Sequence, residues 1–308
     1  MSRARRWWIV GSLAGMLVGM LGAGIADAAH IGQSQCETGI PADESLGFIG
    51  FPRGNLFCPL IADPKGGQSF ASYVRGTSAS AFGTDIASVG IADELGLFRV
   101  NGPTIGDGVQ LSLAGSVYAQ FDLNAPSYDL INADYLIGLP LVIRRGPVAT
   151  RIRLYHQSSH LGDEFILRPG VVRENLAFQS IEGMLSGELR PLRLYGGGEY
   201  LFGATPAEIE TRLVHGGVEF RQPGGLLPIA GLDQARLIAG LDVKSVEDLG
   251  WSVAWSGRAG IELGGRPGSG HASRRWSLLG EYYDGPSPYG QFFRDDVTYY
   301  GLGLHIGL

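Results

Sequence analysis

Between Val109 and Leu123 the chain sorts its residues by parity. Val109, Leu111, Leu113, Gly115, Val117, Ala119, Phe121 and Leu123 form one set, nearly all apolar. Gln110, Ser112, Ala114, Ser116, Tyr118, Gln120 and Asp122 form the other, nearly all small or polar. Successive side chains on a β-strand point to opposite faces, so the stretch predicts a strand with one oily and one wet face. It is also long enough to cross a bilayer when tilted. The same period closes the sequence, where Tyr300, Leu302, Leu304, Ile306 and Leu308 alternate with Gly301, Gly303, His305 and Gly307. Followed along the chain, the pattern predicts strands at about 68–77, 86–99, 109–123, 131–145, 148–158, 176–189, 192–202, 211–220, 235–244, 251–263, 274–284 and 297–308. That makes about twelve, and an even count is the norm for single-chain bacterial barrels.

The two faces of these strands point to a membrane. Trp251, Val253, Trp255, Ile261 and Leu263 oppose Ser252, Ser256, Arg258 and Glu262, and Leu237, Ala239, Leu241 and Val243 oppose Arg236 and Asp242. A soluble β-sandwich alternates as well. Strand length and the aromatics at strand ends (Trp251, Trp276, Tyr282, Tyr300) favour an all-β, antiparallel transmembrane β-barrel with interfacial girdles. Its final residue, Leu308, departs from the aromatic residue on which such barrels usually end. The wet faces gather Arg151, Arg153, Arg193, Glu199, Arg236, Asp242, Arg258, Glu262 and Glu281. Opposite charges in so narrow a lumen would pair, and a dozen strands is well below porin size, so the expectation is a filled lumen and not a wide diffusion pore.

The head of the chain adds a location. Arg3, Arg5 and Arg6, an apolar run from Trp7 to about Ala23, and Ala26-Asp27-Ala28 read as a cleavable signal peptide over 1–28. The expected home is the bacterial outer membrane. Residues 29–67 read as an irregular segment that either plugs the barrel or forms a periplasmic arm, and 68–308 as the barrel itself. Cys36 and Cys58 both precede the barrel, and outside the cytoplasm they would pair as a disulfide. Of 308 residues 49 are glycine and only 18% are charged, which suits turns and small interior positions. A net charge of −6 without basic runs gives no reason to expect nucleic acid; the expected partner is outer-membrane lipid. No motif calls for a cofactor.

One stretch concentrates chemistry: Arg151-Ile152-Arg153-Leu154-Tyr155-His156-Gln157-Ser158-Ser159-His160-Leu161-Gly162-Asp163-Glu164-Phe165. The tight turn at Gly146-Pro147 belongs to the periplasmic side, so the strand from Val148 runs outward. Parity puts His156 and Ser158 on the oily face with Ile152 and Leu154, and Arg151, Arg153, Tyr155 and Gln157 in the lumen. A serine hydroxyl needs a base within reach, and the base needs an orienting group. The arrangement resembles the His-x-Ser of outer-membrane phospholipase A and of lipid A deacylases, which implies His156 as base and Ser158 as nucleophile. In those enzymes an Asn or acid on the neighbouring strand, about a dozen residues past the serine, completes the group. That position here is Gly170, and the nearest substitutes are Asp163, Glu164, Glu174 and Asn175. Two plainer readings compete. Ser158, Ser159, Asp163 and Glu164 would cap a turn at Gly162, or His156, His160, Asp163 and Glu164 would ligate a metal, at a spacing that matches no established motif. Elsewhere, Asp284–Phe293 reads as an outer loop, Gly196-Gly197-Gly198 as a bend inside a strand, and His215, His271 and His305 as structural or surface histidines.

The ten residues Tyr155–Glu164 resemble the hallmark of a bacterial family labelled domain of unknown function 1207. The resemblance extends to Cys58–Lys65, Gly280–Gly285, Gly290–Phe293 and Tyr299–Leu304. It implies an outer-membrane barrel and no assigned activity. The first functional expectation is therefore a non-catalytic envelope barrel with a structural, binding or narrow transport role. The second is a lipid or lipid A acyl hydrolase using His156 and Ser158.

Overall fold

Alternation becomes wall in the computed structural model, which describes residues 40, 47–77, 84–104, 106–223, 235–264 and 275–307. The strands are β1 (Gly47–Gly50), β2 (Ser69–Gly76), β3 (Asp85–Asn101), β4 (Gly108–Asp122), β5 (Leu130–Arg145), β6 (Val148–Leu161), β7 (Leu176–Leu189), β8 (Leu192–Thr205), β9 (Arg212–Arg221), β10 (Arg236–Val246), β11 (Ser252–Leu263), β12 (Arg275–Pro286) and β13 (Asp296–Gly307). From β2 to β13 each strand pairs antiparallel with the next, and β13 pairs back onto β2. The result is a closed barrel of twelve strands. Closure removes the open edges that hydrocarbon cannot tolerate. No described helix is long and apolar enough to cross a membrane, so the strands alone form the spanning wall.

The oily set of each strand faces out. Ile152, Leu154, Ile181, Leu237, Leu241, Ile261, Leu302 and Leu304 are exposed. Exposed aromatics mark both rims: Tyr73, Tyr135, Tyr200, Trp255, Tyr282 and Tyr300 in the half nearer the loops, Phe48, Phe98 and Trp276 nearer the turns. Two strands run further than their sequence suggests. β6 continues through Ser159 and His160 because Leu161 is still in register with Asn132 of β5. β8 reaches Thr205 because it pairs with Ala177 across a bulge. Trp251, expected to lead the outward face of its strand, instead sits in the turn before β11 with φ 62°. The leader over 1–28 and Cys36 lie outside the described residues, and so does the pairing expected of Cys36 with Cys58.

β1 and β2 both run antiparallel to β3, against its two ends. β1 lies opposite Phe98–Asn101 and β2 opposite Asp85–Gly90. The chain between them leaves the wall and enters the lumen. Side chains seal the exit: Ser69 Oγ donates to the Ala92 carbonyl (3.1 Å) and accepts from its N–H (3.0 Å).

Inside, the segment from Leu56 to Ala62 is buried against the wall. Such a segment has few internal partners for its backbone, and buried backbone polar groups must be satisfied. Wall side chains satisfy them. Arg99 donates to the carbonyls of Arg53 (2.9 Å) and Gly54 (2.7 Å), Arg144 to Leu56 (3.3 Å), Arg193 to Cys58 (3.0 Å) and Pro59 (3.3 Å), and Arg258 to Ile61 (3.1 Å). Glu219 accepts the Ile61 N–H (2.6 Å). The Phe57 ring lies between the guanidiniums of Arg151 (4.5 Å) and Arg193 (5.0 Å). Leu56 and Leu60, both fully buried, contribute about 1.5–3 kcal/mol each from burial. The arginines are themselves paired, Arg193 with Glu219 (3.0 Å), Arg144 with Glu188 (2.6 Å) and Arg258 with Glu281 (3.2 Å). The lumen is thus filled by charge pairs that grip a peptide.

At the other end two connections fold inward. α1 (Asp163–Ile166) drops Phe165 into the mouth, where it meets Phe292 edge-on at 5.8 Å beside Val74, Ile86 and Ile131. The turn after β12 places Gly290, whose N–H donates to Asp134 (3.0 Å). Asp134 also accepts from Ser159 Oγ (2.5 Å) and pairs with Lys65 (2.7 Å). Wall, inner segment and lid therefore meet on one buried carboxylate.

Candidate functional site

The short turns at one end of the barrel fix its direction, since such turns are periplasmic. β6 then rises toward the outer surface, and its residues split by parity. Arg151, Tyr155, Gln157 and Ser159 are buried in the lumen; Ile152, Leu154, His156, Ser158 and His160 form the outward column. Ser158 stands opposite Tyr135 of β5 and Ala177 of β7, and His156 opposite Ile137 and Gln179. The pair thus lies on the lipid-facing wall, level with an exposed tyrosine of the outer girdle.

Gln179 Nε2 and His156 Nδ1 are 3.1 Å apart. The contact is built by the local chain. Between Ala177 and Gln179 the register against β8 shifts by one, so β8 carries an extra residue at Gly203-Ala204. Bulges of this kind re-aim side chains beside functional sites. Gly203 has φ 58°, and a Cβ there would come within 2.2 Å of Gln179 Oε1. Glycine at this point leaves the room in which the Gln179 amide lies against the imidazole. In the arrangement described, the amide N–H₂ faces Nδ1. A half-turn of the amide presents its carbonyl instead, which accepts from Nδ1–H and leaves His156 Nε2 bare to take a proton. Ser158 makes no hydrogen bond to His156 here; the two share a face, two positions apart.

Asp163 and Glu164 do not join this group. Both are exposed in the first turn of α1, and neither has a hydrogen bond to His156 or Ser158. Ser159 does not cap the turn at Gly162, because its hydroxyl donates to Asp134, and Ser158 makes no hydrogen bond to that turn. The reason is Phe165, whose burial turns α1 over the lumen and its acidic residues to solvent. Glu174 pairs with Arg294 (2.6 Å). His160 places its imidazole edge-on to Tyr135 at 5.7 Å. A fixed distance past the serine falls on Gly170, whereas Gln179 is brought to His156 by the register of β6 against β7.

Among the described residues, the group that brings three metal-type ligand atoms together lies elsewhere. Asp63, His215 and Asp242 offer such atoms within 4.8 Å, all buried. Asp242 accepts from Tyr195 OH (2.6 Å) and is bonded to His215 Nε2, and Lys244 stands 3.6 Å from Asp63. Each carboxylate already has a protein partner, and an ammonium is close by. His305 is likewise structural, bonded to Glu281 in the lumen.

Solved structures share the architecture. The Salmonella typhi outer membrane phospholipase dimer with bound calcium aligns at TM-score 0.50 and 13% identity, over 78% of this chain and 91% of that one. Outer membrane phospholipase A from Escherichia coli aligns at 0.49 and 12%, over 78% and 89%. LpxR from Salmonella typhimurium aligns at 0.38 and 14%, over 78% and 100%. At such identities the likeness is one of fold, that of an outer-membrane β-barrel. No curated protein matches the chain. Over residues 25–308 the sequence matches the family described as Protein of unknown function (DUF1207), and the chain belongs to that family.

Proposed function

We propose that this barrel is a membrane-embedded acyl hydrolase that attacks lipid esters at its outer wall, with Ser158 as nucleophile, His156 as base and Gln179 as the group that orients the base. One observation carries the reading: the Gln179 amide lies 3.1 Å from His156 Nδ1 on the lipid-facing side of β6 and β7. Polar and ionisable side chains facing hydrocarbon are costly and mark function by default. An acyl chain lying along Ile152, Leu154 and Ile181 would bring its ester to the level of Tyr135 and Ser158. His156 Nε2 takes the serine proton as Oγ bonds the carbonyl carbon, then gives it to the departing alkoxide. A water repeats the sequence and frees the acid. Gln179 holds the imidazole ring in position, the role an amide can fill without carrying charge. Ser158 and His156 are not hydrogen-bonded in the free protein, and catalytic hydrogen bonds often tighten only with substrate present.

The test is covalent. A fluorophosphonate probe should label the detergent-solubilised protein and leave Ser158→Ala unlabelled. Equal labelling of both, or none of either in folded protein given phospholipid micelles, would overturn the reading in favour of a non-catalytic envelope barrel.

A further inference from the structure

Above the inner segment the lumen is not full. A cavity of about 160 Å³ remains between the Asp63-Pro64-Lys65 turn and the inward-folded connections at the loop end. Its two sides differ in chemistry. Leu176, Phe178, Leu201, Ile209 and Phe293 make an apolar strip, while Asp63, Arg153, Glu199, Asp242 and Lys244 make a charged floor.

The hydrogen bonds of that floor are unevenly spent. Its carboxylates are engaged: Asp242 by Tyr195 and His215, Glu199 by Tyr155 and Ser180, Asp63 by the Lys65 N–H. The cations are engaged less fully. The Lys244 ammonium has its nearest counterion, Asp63, at 3.6 Å, beyond hydrogen-bond distance. Arg153 gives one N–H, from Nη2, to Glu182. A sequestered cation with unspent donors is costly unless something accepts from them. An anion would, and an apolar body attached to it would cover the strip.

We propose that this chamber binds a small amphipathic carboxylate, its head on Lys244 and Arg153 and its body against Leu201, Ile209 and Phe293. A cavity of about this volume takes a molecule of benzene size, which sets the scale of the body. The site lies on the opposite face of β6 from Ser158 and does not depend on hydrolysis there.

Calorimetric titration of the whole solubilised protein tests it with three isosteres: 3-phenylpropionate, 3-phenylpropanol and 3-phenylpropylamine. The carboxylate should bind saturably and at least about tenfold more tightly than the other two, as a charge-assisted contact implies. Lys244→Met should raise its Kd about tenfold or more, and Ser158→Ala should leave it unchanged. Because Lys244 also faces Asp63, a second variant, Ile209→Trp, fills the chamber from the apolar side. It should abolish binding while the barrel keeps its heat-dependent gel mobility. Equal binding of the three compounds, no binding of any, or wild-type affinity in both Lys244→Met and Ile209→Trp would overturn the proposal.

Discussion

The two faces of β6 carry almost the same number of polar residues and treat them differently. In the lumen each of them has at least one hydrogen-bond or ion-pair partner. Arg151 and Arg153 share Glu182 at 2.7 and 2.5 Å, Tyr155 donates to Glu199, and Ser159 donates to Asp134 at 2.5 Å. On the outer face His156, Ser158 and His160 interrupt an apolar column, and their partners among the described residues are the Gln179 amide and the Tyr135 ring. The inward set is explained by the fold, since each charge offsets another and removing one leaves its partner buried. The outward set carries no ion pairs of this kind. If the outer face does the proposed chemistry, parity divides stability from chemistry on a single strand, and each half can be tested without the other.

The largest effect should fall on the outer face. Ser158→Ala should lower ester hydrolysis by about a thousandfold or more, with stability unchanged within about 0.5 kcal/mol. Phospholipid turnover and urea unfolding, measured on the same preparation, check both halves. An unstable but active variant would break the division outright. Next comes the lumen. Arg193→Met takes from Glu219 its nearer guanidinium, leaving Arg221 at 3.4 Å, and from the carbonyls of Cys58 and Pro59 their arginine donor, and should cost about 3–5 kcal/mol in unfolding free energy. The urea midpoint of the gel-shifted form reads it, and a midpoint like wild type would mean that the buried pairs do not hold the inner segment. Third, Gln179→Leu should lower kcat about 10–100-fold with KM little changed, because orientation and not binding is lost. Gly203→Ala should act the same way more weakly by displacing the amide. A KM effect alone would move Gln179 from the base to the lipid. The smallest effect concerns the loop after β6, which Arg168 ties to Asp129 at 2.7 Å. Hydrogen bonds from Arg168 and Ser127 hold the Asp129 carboxyl below its usual range. A carboxylate lowered in the fold stabilises above its ordinary range and ceases to as pH falls through the lowered value. The protection factors of amides in residues 162–175 should therefore fall in acid, and Asp129→Asn should already lower them at neutral pH.

Much of the wall was legible because period-two patterning is a local property. Twelve stretches alternated, and twelve strands close the barrel with ends mostly within two residues of those expected. The exceptions have causes outside the strand concerned. Ser159 and His160 are drawn into β6 by β5, and Trp251 is turned out of β11 by a left-handed backbone. Parity also assigns His156 and Ser158 to the lipid side with Ile152 and Leu154, and the turn at Gly146-Pro147 sets the direction of their strand. Gln179 was hidden because it depends on register across a long loop and on a bulge in a third strand, neither of which leaves a periodic trace. The contacts of residues 53–62 were hidden more deeply. They run from arginine side chains to main-chain carbonyls, and a carbonyl carries no sequence signature. The chamber follows from that filling, since its floor is the turn at Asp63-Pro64-Lys65.

The excursion between β1 and β2 begins and ends at the same seam of the wall. A stopper fastened at one end can swing out of its tube; one stitched into the tube on both sides cannot. For solute to pass straight through this barrel, β1 would have to unzip from β3 or the arginine-held peptide would have to fold flat against the wall, surrendering its bonds together. The inner segment is better regarded as a floor, on which the outer chamber rests and against which β6 is braced from behind.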